Sequence, residues 1–301
     1  MKIYLFNSFQ TLWFSQLKKD NKFYKERLAR FCMEIKADFQ NHWTTKSRVL
    51  NPHEVAGRIL DSLGKGGLCG LVNYSDRRYE AFAERADGLP MVTRLANAVY
   101  FAGRDVLVVK GEEVPTADGD LLVMGLNEDK HLSPKKSLEY SLKEAHENEG
   151  VVIITTPFFG ISRVGEIIQK NPKLLSLVDA IEVHDGEALK SANKKAKEFY
   201  NNVIKDYYPH LGQLASSDGH SFMEVGSSCT KLSMPQYSQI HSAHQLRDNL
   251  RQAVRESKSD ENLHKSNSVM GALIHAGILI PMIIAGKFGI KLSRGDQAAL
   301  R

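Results

Sequence analysis

Short apolar runs alternate with amphipathic helical segments along most of the chain, and that alternation narrows the fold more than any single residue does. Leu68 to Val72, Val106 to Val109, Val151 to Ile154 and Asp179 to Val183 read as buried strands, each a brief β-prone run bounded by polar or turn residues. Helical patterns lie between them. Asn51-Pro52 opens one with an N-cap and a first-turn proline; Val55, Ile59 and Leu63 repeat along one face, and Gly64-Lys65-Gly66-Gly67 closes it. Ser133-Pro134 opens a helix carrying Leu138, Leu142 and Ala145. Ile161 to Lys170 reads as a short helix, and residues 77–104 as helical with a break at Pro90. Leu189, Ala192, Ala196, Phe199 and Val203 mark a further amphipathic helix, and Ala243, Leu246, Leu250 and Val254 another. Strands apolar on both faces and separated by helices are parallel strands covered from outside. Six or seven of them suit a closed barrel better than an open sheet. Asp120 to Met124, after the turn at 115–119, reads as a hairpin partner of the strand before it.

Composition sets the limits. A chain of 301 residues, 42% hydrophobic and with mean hydropathy −0.31, is that of an ordinary globular protein. A formal charge of +5 tolerates an anionic substrate but gives no signal for a duplex-binding surface. Three dispersed cysteines, Cys32, Cys69 and Cys229, suggest a reducing, cytoplasmic setting and form no metal knuckle. The opening residues are too interrupted for a secretory signal. Three regions follow: a helical extension over 1–37 with a basic amphipathic stretch from Lys18 to Lys36, a barrel over 38–255, and a tail over 256–301. In that tail a polar linker leads to an apolar helix, 269–286, close to the ~20 residues that span a bilayer. Packing of that helix on the barrel is favoured over membrane contact.

In barrels of this kind the C-terminal ends of the strands carry the chemistry. The polar residues at those ends are His42, Asp76, Glu113, Thr156, His184, Asp218 and His220. Asp218 and His220 stand two apart, on the same side of an extended backbone, with Gly219 permitting a tight turn. On its own that tripeptide reads first as a solvated strand-end turn; with the other ends it becomes a ligand set for a hard or borderline cation. His241 and His244, Lys190, Lys194 and Lys195 read as surface residues, Trp43 as core packing and Cys229 as structural.

The order of these motifs resembles the PHP (polymerase and histidinol phosphatase) superfamily of metal-dependent phosphoesterases, from about Asp38 to Thr230. Asp38-Phe39-Gln40-Asn41-His42 is similar to its opening D-h-H-x-H motif, and Tyr74-Ser75-Asp76-Arg77 stands where T-D-H would. Gly111-Glu112-Glu113 with Gly119 to Gly125 resembles the G-x-E strand and its hairpin partner. Thr156-Pro157 replaces H-P, Ile181-Glu182-Val183 resembles I-E-v, and Ser217-Asp218-Gly219-His220 resembles S-D-A-H. Gln40, Arg77 and Thr156 stand in place of three histidines.

The resemblance implies a distorted (β/α)7 TIM-like α/β barrel of the PHP type with an apolar helical C-terminal tail. It implies a reduced metal site on His42, Glu113, Asp218 and His220, holding one divalent cation (Zn, Mn or Fe) or none. The implied chemistry is hydrolysis of a phosphate ester, with Glu113, Arg77 and Asp76 as catalytic residues and Arg77, His184 and Thr156 facing the substrate. The substrate class it implies is a phosphorylated small molecule or nucleotide. The alternative is a non-catalytic relative that binds a phosphorylated ligand or a protein partner.

Overall fold

The computed structural model describes residues 32–43, 50–74, 76–160 and 162–264. The first strand, β1 (Cys32–Asn41), is followed by α1 (Pro52–Leu63), whose N-cap Asn51 side chain accepts from the His53 N–H as the Asn-Pro signal anticipates. β2 (Leu68–Asn73) and α2 (Arg78–Ala86) come next, then β3 (Val92–Leu95) and β4 (Ala98–Phe101). β5 (Val106–Pro115) and β6 (Asp120–Met124) form the expected hairpin. α3 (Leu138–Glu147), β7 (Val151–Ile154), α4 (Val164–Lys170) and β8 (Ala180–Asp185) lead to α5 (Lys190–Phe199), which runs on through a π turn to Tyr207. β9 (Gly212–Ser216), β10 (Thr230–Pro235) and α6 (Ala243–Glu256) complete the described elements.

The strands form one sheet in the order β10-β1-β2-β5-β6-β7-β8-β9, with the β3–β4 hairpin attached along β5. The sheet curls until its ends nearly meet. Thr230 Oγ1 accepts from Ala215 N at 2.7 Å and donates back to Ala215 O at 2.9 Å, so one hydroxyl ties β10 to β9. The end of β1 is stitched to the segment after β9 as well, through His42 N to Gly219 O at 2.7 Å and Gly219 N to Gln40 O at 3.0 Å.

Inside the barrel lie Ile35, Ala37, Phe39, Leu68, Leu107, Val109, Leu122, Met124, Ile153 and Leu214, with Leu246, Leu250 and Val254 of α6 sealing one end. A Cβ on Gly212 would meet Val254 O at 1.8 Å, so only glycine lets α6 pass this close to β9. Two outer layers cover the sheet. α1 and α2 bury Val55, Ile59, Tyr79 and Phe82 on one flank, and α3, α4 and α5 bury Leu142, Ile168 and Phe199 on the other.

Several expectations are revised. Residues 77–104 are one short helix and a hairpin, because the helix-forming run ends at Gly88-Leu89-Pro90 and the β-branched and aromatic residues of 92–101 pair as strands. The buried Asn97 amide fixes that hairpin, donating to Gly125 O and Ala243 O at 3.0 Å each. The sheet is mixed rather than all parallel: β5, β6 and β7 pair antiparallel, as do β1 and β10. Residues 32–37, grouped with the helical extension, are the first six of β1. The rest of that extension and the apolar segment 269–286 lie outside the described residues. Among the described residues no helix is long and apolar enough to cross a membrane.

Candidate metal centre and active site

Two strand irregularities build the site. Along β1, Ile35, Ala37 and Phe39 alternate into the barrel, but the β1–β2 pairing slips between Asp38 and Asn41. A bulge of this kind reverses the side-chain phase. Gln40 and His42 consequently reach Glu113, which continues the inward face of β5 after Leu107 and Val109. A second slip, between Glu182 and His184 of β8, precedes Asp185 at the strand's end and the loop carrying Glu187.

His42 stands between two carboxylates. Its Nε2 lies 3.4 Å from Glu113 Oε2 and 3.4 Å from Asp218 Oδ1. The His42 and His220 rings stack with centroids 5.0 Å apart. His220 Nδ1 is 2.9 Å from Asp218 O and 3.3 Å from Glu187 Oε1. All four residues expected as metal ligands therefore meet at one end of the barrel. Gln40, where a histidine was missing, donates Nε2–H to Glu113 Oε1 at 3.3 Å.

Asp218 has φ 47°, a left-handed conformation that costs a non-glycine residue about 1–2 kcal/mol. Thr156, at the end of β7, has φ 39°. Asp38 holds the Asp218 loop from below: its carboxylate accepts from Ser217 N at 3.0 Å, Ser217 Oγ at 2.7 Å and Gly226 N at 2.8 Å.

The remaining expected residues are placed around this centre. Thr156 N donates to Glu182 Oε2 at 3.0 Å, and Thr156 borders a water-sized cavity lined by Glu182, Asp185 and Asn193. His184 stacks on His264 with centroids 4.3 Å apart, and its Nδ1 is 3.4 Å from Asn193 Nδ2. Asp76 is held by Arg78, whose Nε is 2.7 Å away and whose other arm donates to His42 O at 3.0 Å. Arg77 is exposed at the start of α2; His131 is lowered chiefly by burial and the Lys110 charge, with Arg77 a smaller contributor. Trp43 packs edge-on against Phe82 and Phe222, as a core residue does.

Sequence reasoning passed over Arg78, Asp185 and Glu187. Glu187 lies in the loop just beyond β8, and only a search of every strand-end loop for carboxylates would have found it.

Carboxylates outnumber cations here. Burial pushes the Glu182 carboxyl up, and the charges of Asp218 and Asp38 add to the shift. Burial likewise raises Asp185, with further contributions from Asp218 and Glu182. Burial alone lifts Asp38 to about 6 against the hydrogen bonds that lower it. His220 shows the complement: burial would lower it, but the Glu187 hydrogen bond and the Asp218 and Glu187 charges outweigh that and push it up to about 9. An imidazole between two carboxylates, in a mouth with excess negative charge, is a donor set that fits a divalent cation.

No protein-family model and no curated protein sequence matches the chain. Solved structures do. PsfC from Pseudomonas syringae has a TM-score of 0.51 at 17% identity, over 73% of this chain and 89% of that one. What is shared is the fold, a nearly closed α/β barrel. A two-domain protein from Bacteroides vulgatus containing a predicted PHP-like metal-dependent phosphoesterase has a TM-score of 0.48 at 15% identity, over 74% of this chain and 64% of that one. Endonuclease Q, in complex with a 27-mer duplex bearing an abasic lesion, has a TM-score of 0.48 at 11% identity, over 75% and 58%. The chain thus spans less than two thirds of these last two proteins, and at such identities the likeness is one of fold.

Proposed function

We propose that the chain is a metal-dependent phosphoric ester hydrolase with a reduced ligand set on His42, Glu113, Asp218 and His220. The observation that carries this reading is His42 Nε2 at 3.4 Å from both the Glu113 and the Asp218 carboxylates, inside a mouth rich in buried acids. A phosphate is repelled by such a mouth unless a cation is present. A bound divalent ion supplies that charge and lowers the pKa of a coordinated water. Glu113 from β5 and Asp218 from the segment after β9 hold the ligand set, and Arg78 holds the His42 main chain in register. Arg77, His184 and Thr156 are the proposed substrate contacts from the rim. A phosphorylated small molecule or nucleotide is the substrate class, since the mild overall charge offers no track for a duplex.

One observation favours the second reading, a non-catalytic binder. The Gln40 amide donates to Glu113 Oε1, occupying a lone pair that a metal would use. The two readings part on a simple assay. Hydrolysis of p-nitrophenyl phosphate and its bis ester is measured with and without Mn²⁺ or Zn²⁺, for wild type and Glu113→Gln. Metal-dependent turnover lost in the variant supports the hydrolase. No turnover with any metal, alongside retained phosphate binding, supports the binder.

A further inference from the structure

A cavity of about 300 Å³ lies between the β3–β4 hairpin and the turn after β10, at the end of the barrel where β1 begins. The candidate metal centre is at the other end, where β1 finishes. Leu95, Tyr100, Leu107, Tyr237, Ile240 and Leu246 line the cavity. Both tyrosine hydroxyls are engaged elsewhere, Tyr100 donating to Asp105 Oδ1 at 3.0 Å and Tyr237 to Gly66 O at 2.7 Å. The two rings meet edge to face, with centroids 5.5 Å apart, and offer the cavity carbon rather than oxygen. The polar lining residues Thr93, Ser238 and His241 are all exposed. One wall is also a strand edge, since among the described residues β3 pairs with β4 alone. Sheets in native proteins cover such edges or blunt them.

We propose that the apolar N-terminal stretch of the same chain, Ile3 to Phe14, inserts aromatic side chains into this cavity and closes that end of the barrel. The path of the chain selects this occupant. Cys32 pairs with Pro235, two residues before Tyr237, so residues 1–31 join the barrel beside the cavity. The C-terminal tail starts from the other end, because His264 stacks on His184 near the end of β8. Reach is ample: the residues between Phe14 and Cys32 can each span up to about 3.3 Å.

The chemistry of the stretch matches the cavity. Ile3, Leu5, Phe6, Phe9, Trp13 and Phe14 fall within it. An apolar run of that kind needs cover from water. An apolar cavity of about 150 Å³ takes one benzene ring, so this one has room for two aromatic side chains. Their burial there removes apolar surface from water on both partners, and it requires no metal.

The test uses the full chain with the photo-reactive residue p-benzoylphenylalanine in place of Phe6 in one sample and of Phe9 in another. Each is irradiated at several protein concentrations, and crosslinks are mapped by mass spectrometry. Crosslinks within one chain to 93–102 or 237–246, with a yield independent of concentration, are the expected result. Ser238→Phe fills the cavity from an exposed position, and the yield should then fall about tenfold, the effect of about 1.4 kcal/mol of steric cost. Ala102→Phe, at a second exposed lining position, should do the same, with circular dichroism checking both folds. Crosslinks between chains would give the cavity to a second copy and overturn docking within one chain. Crosslinks elsewhere on the barrel, or none, would overturn the occupant. A yield unchanged by both cavity-filling variants would place the stretch outside the cavity and overturn the proposal as well.

Discussion

The Arg78 guanidinium donates to the main-chain carbonyl of His42 across 3.0 Å, while its Nε meets Asp76 at 2.7 Å. The side chain is nearly buried, so this clasp fixes the end of β1 to the start of α2. Two adjacent arginines therefore have different fates. Arg78→Ala removes hydrogen bonds to a charged group and to a buried carbonyl, and should destabilise by about 1.5–3 kcal/mol. Arg77→Ala, at an exposed position, should change stability by less than about 0.5 kcal/mol. If Arg77 meets the substrate, its loss raises KM for a phosphate ester without moving the unfolding midpoint. Urea melts of both variants, with steady-state kinetics beside them, decide; equal destabilisation by the two would refute this division of roles.

Asp218 offers a test of backbone strain. With φ at 47°, an alanine there keeps the left-handed penalty and a glycine does not. Asp218→Gly should unfold at higher denaturant than Asp218→Ala, by about 1 kcal/mol, although both lose Mn²⁺ binding. Equal midpoints would mean that the left-handed turn relaxes once the carboxylate is gone.

Stability should depend on pH through Glu112. Burial pushes this carboxyl up to about 7, more than the Leu132 N–H and the Lys110 charge pull it down. A folded pKa above the ordinary 4.5 means that the native state binds the proton more tightly than the unfolded chain. The stabilisation is then complete below about pH 4.5 and fades as pH rises through about 7. Asp38, at about 6, adds a loss of the same sign over a lower window. Glu112→Gln keeps an acceptor for Leu132 N and cannot titrate, so its stability should fall less steeply between those pH values. Parallel slopes for wild type and variant across this range would rule the Glu112 contribution out.

How much of this was legible in the residues depended on whether the signal was local. The end of β5 and the Asp218-Gly219-His220 spacing are local patterns, and the structure brings the residues of both to one end of the barrel. β10 was legible too, since Thr230, Leu232 and Met234 are buried while Lys231 and Ser233 are exposed. It was passed over because only six residues carry the alternation. The two register slips could not be read, because a bulge is defined by the partner strand rather than by its own sequence. Without the slip near Asp38, the phase of β1 sends Gln40 away from Glu113. Glu187 was hidden for a related reason: its contact with His220 comes from Asp185 holding a loop against a segment more than thirty residues later. The choice of Arg78 over Arg77 for Asp76 likewise depends on where α2 begins.

Lys110 gives the strongest stability forecast. It lies on the outward face of β5, fully buried, three residues before Glu113 turns into the site. Its Nζ meets Glu80 Oε1 at 2.8 Å and the carbonyls of Asn127, Glu128 and Lys130 at 3.0, 3.1 and 2.8 Å. Glu80 is held in turn by Asn73 Nδ2, at 3.0 and 2.8 Å. The ammonium thus anchors the loop after β6 to the strand that presents Glu113. Lys110→Met keeps much of the side-chain volume but strands the Glu80 carboxylate and three carbonyls, and should cost about 3–5 kcal/mol. Glu80→Gln alone should cost less, since an amide still accepts from Lys110 and Asn73. The double variant tests the pairing directly. If the Lys110→Met penalty comes from the stranded charge, adding Glu80→Gln should recover part of it, a coupling of about 0.5–3 kcal/mol. Additivity within about 0.5 kcal/mol would place the cost in the loop carbonyls instead. Hydrogen exchange separates the outcomes, because loss of the carbonyl anchors alone speeds exchange over 127–132 and leaves α2 protected.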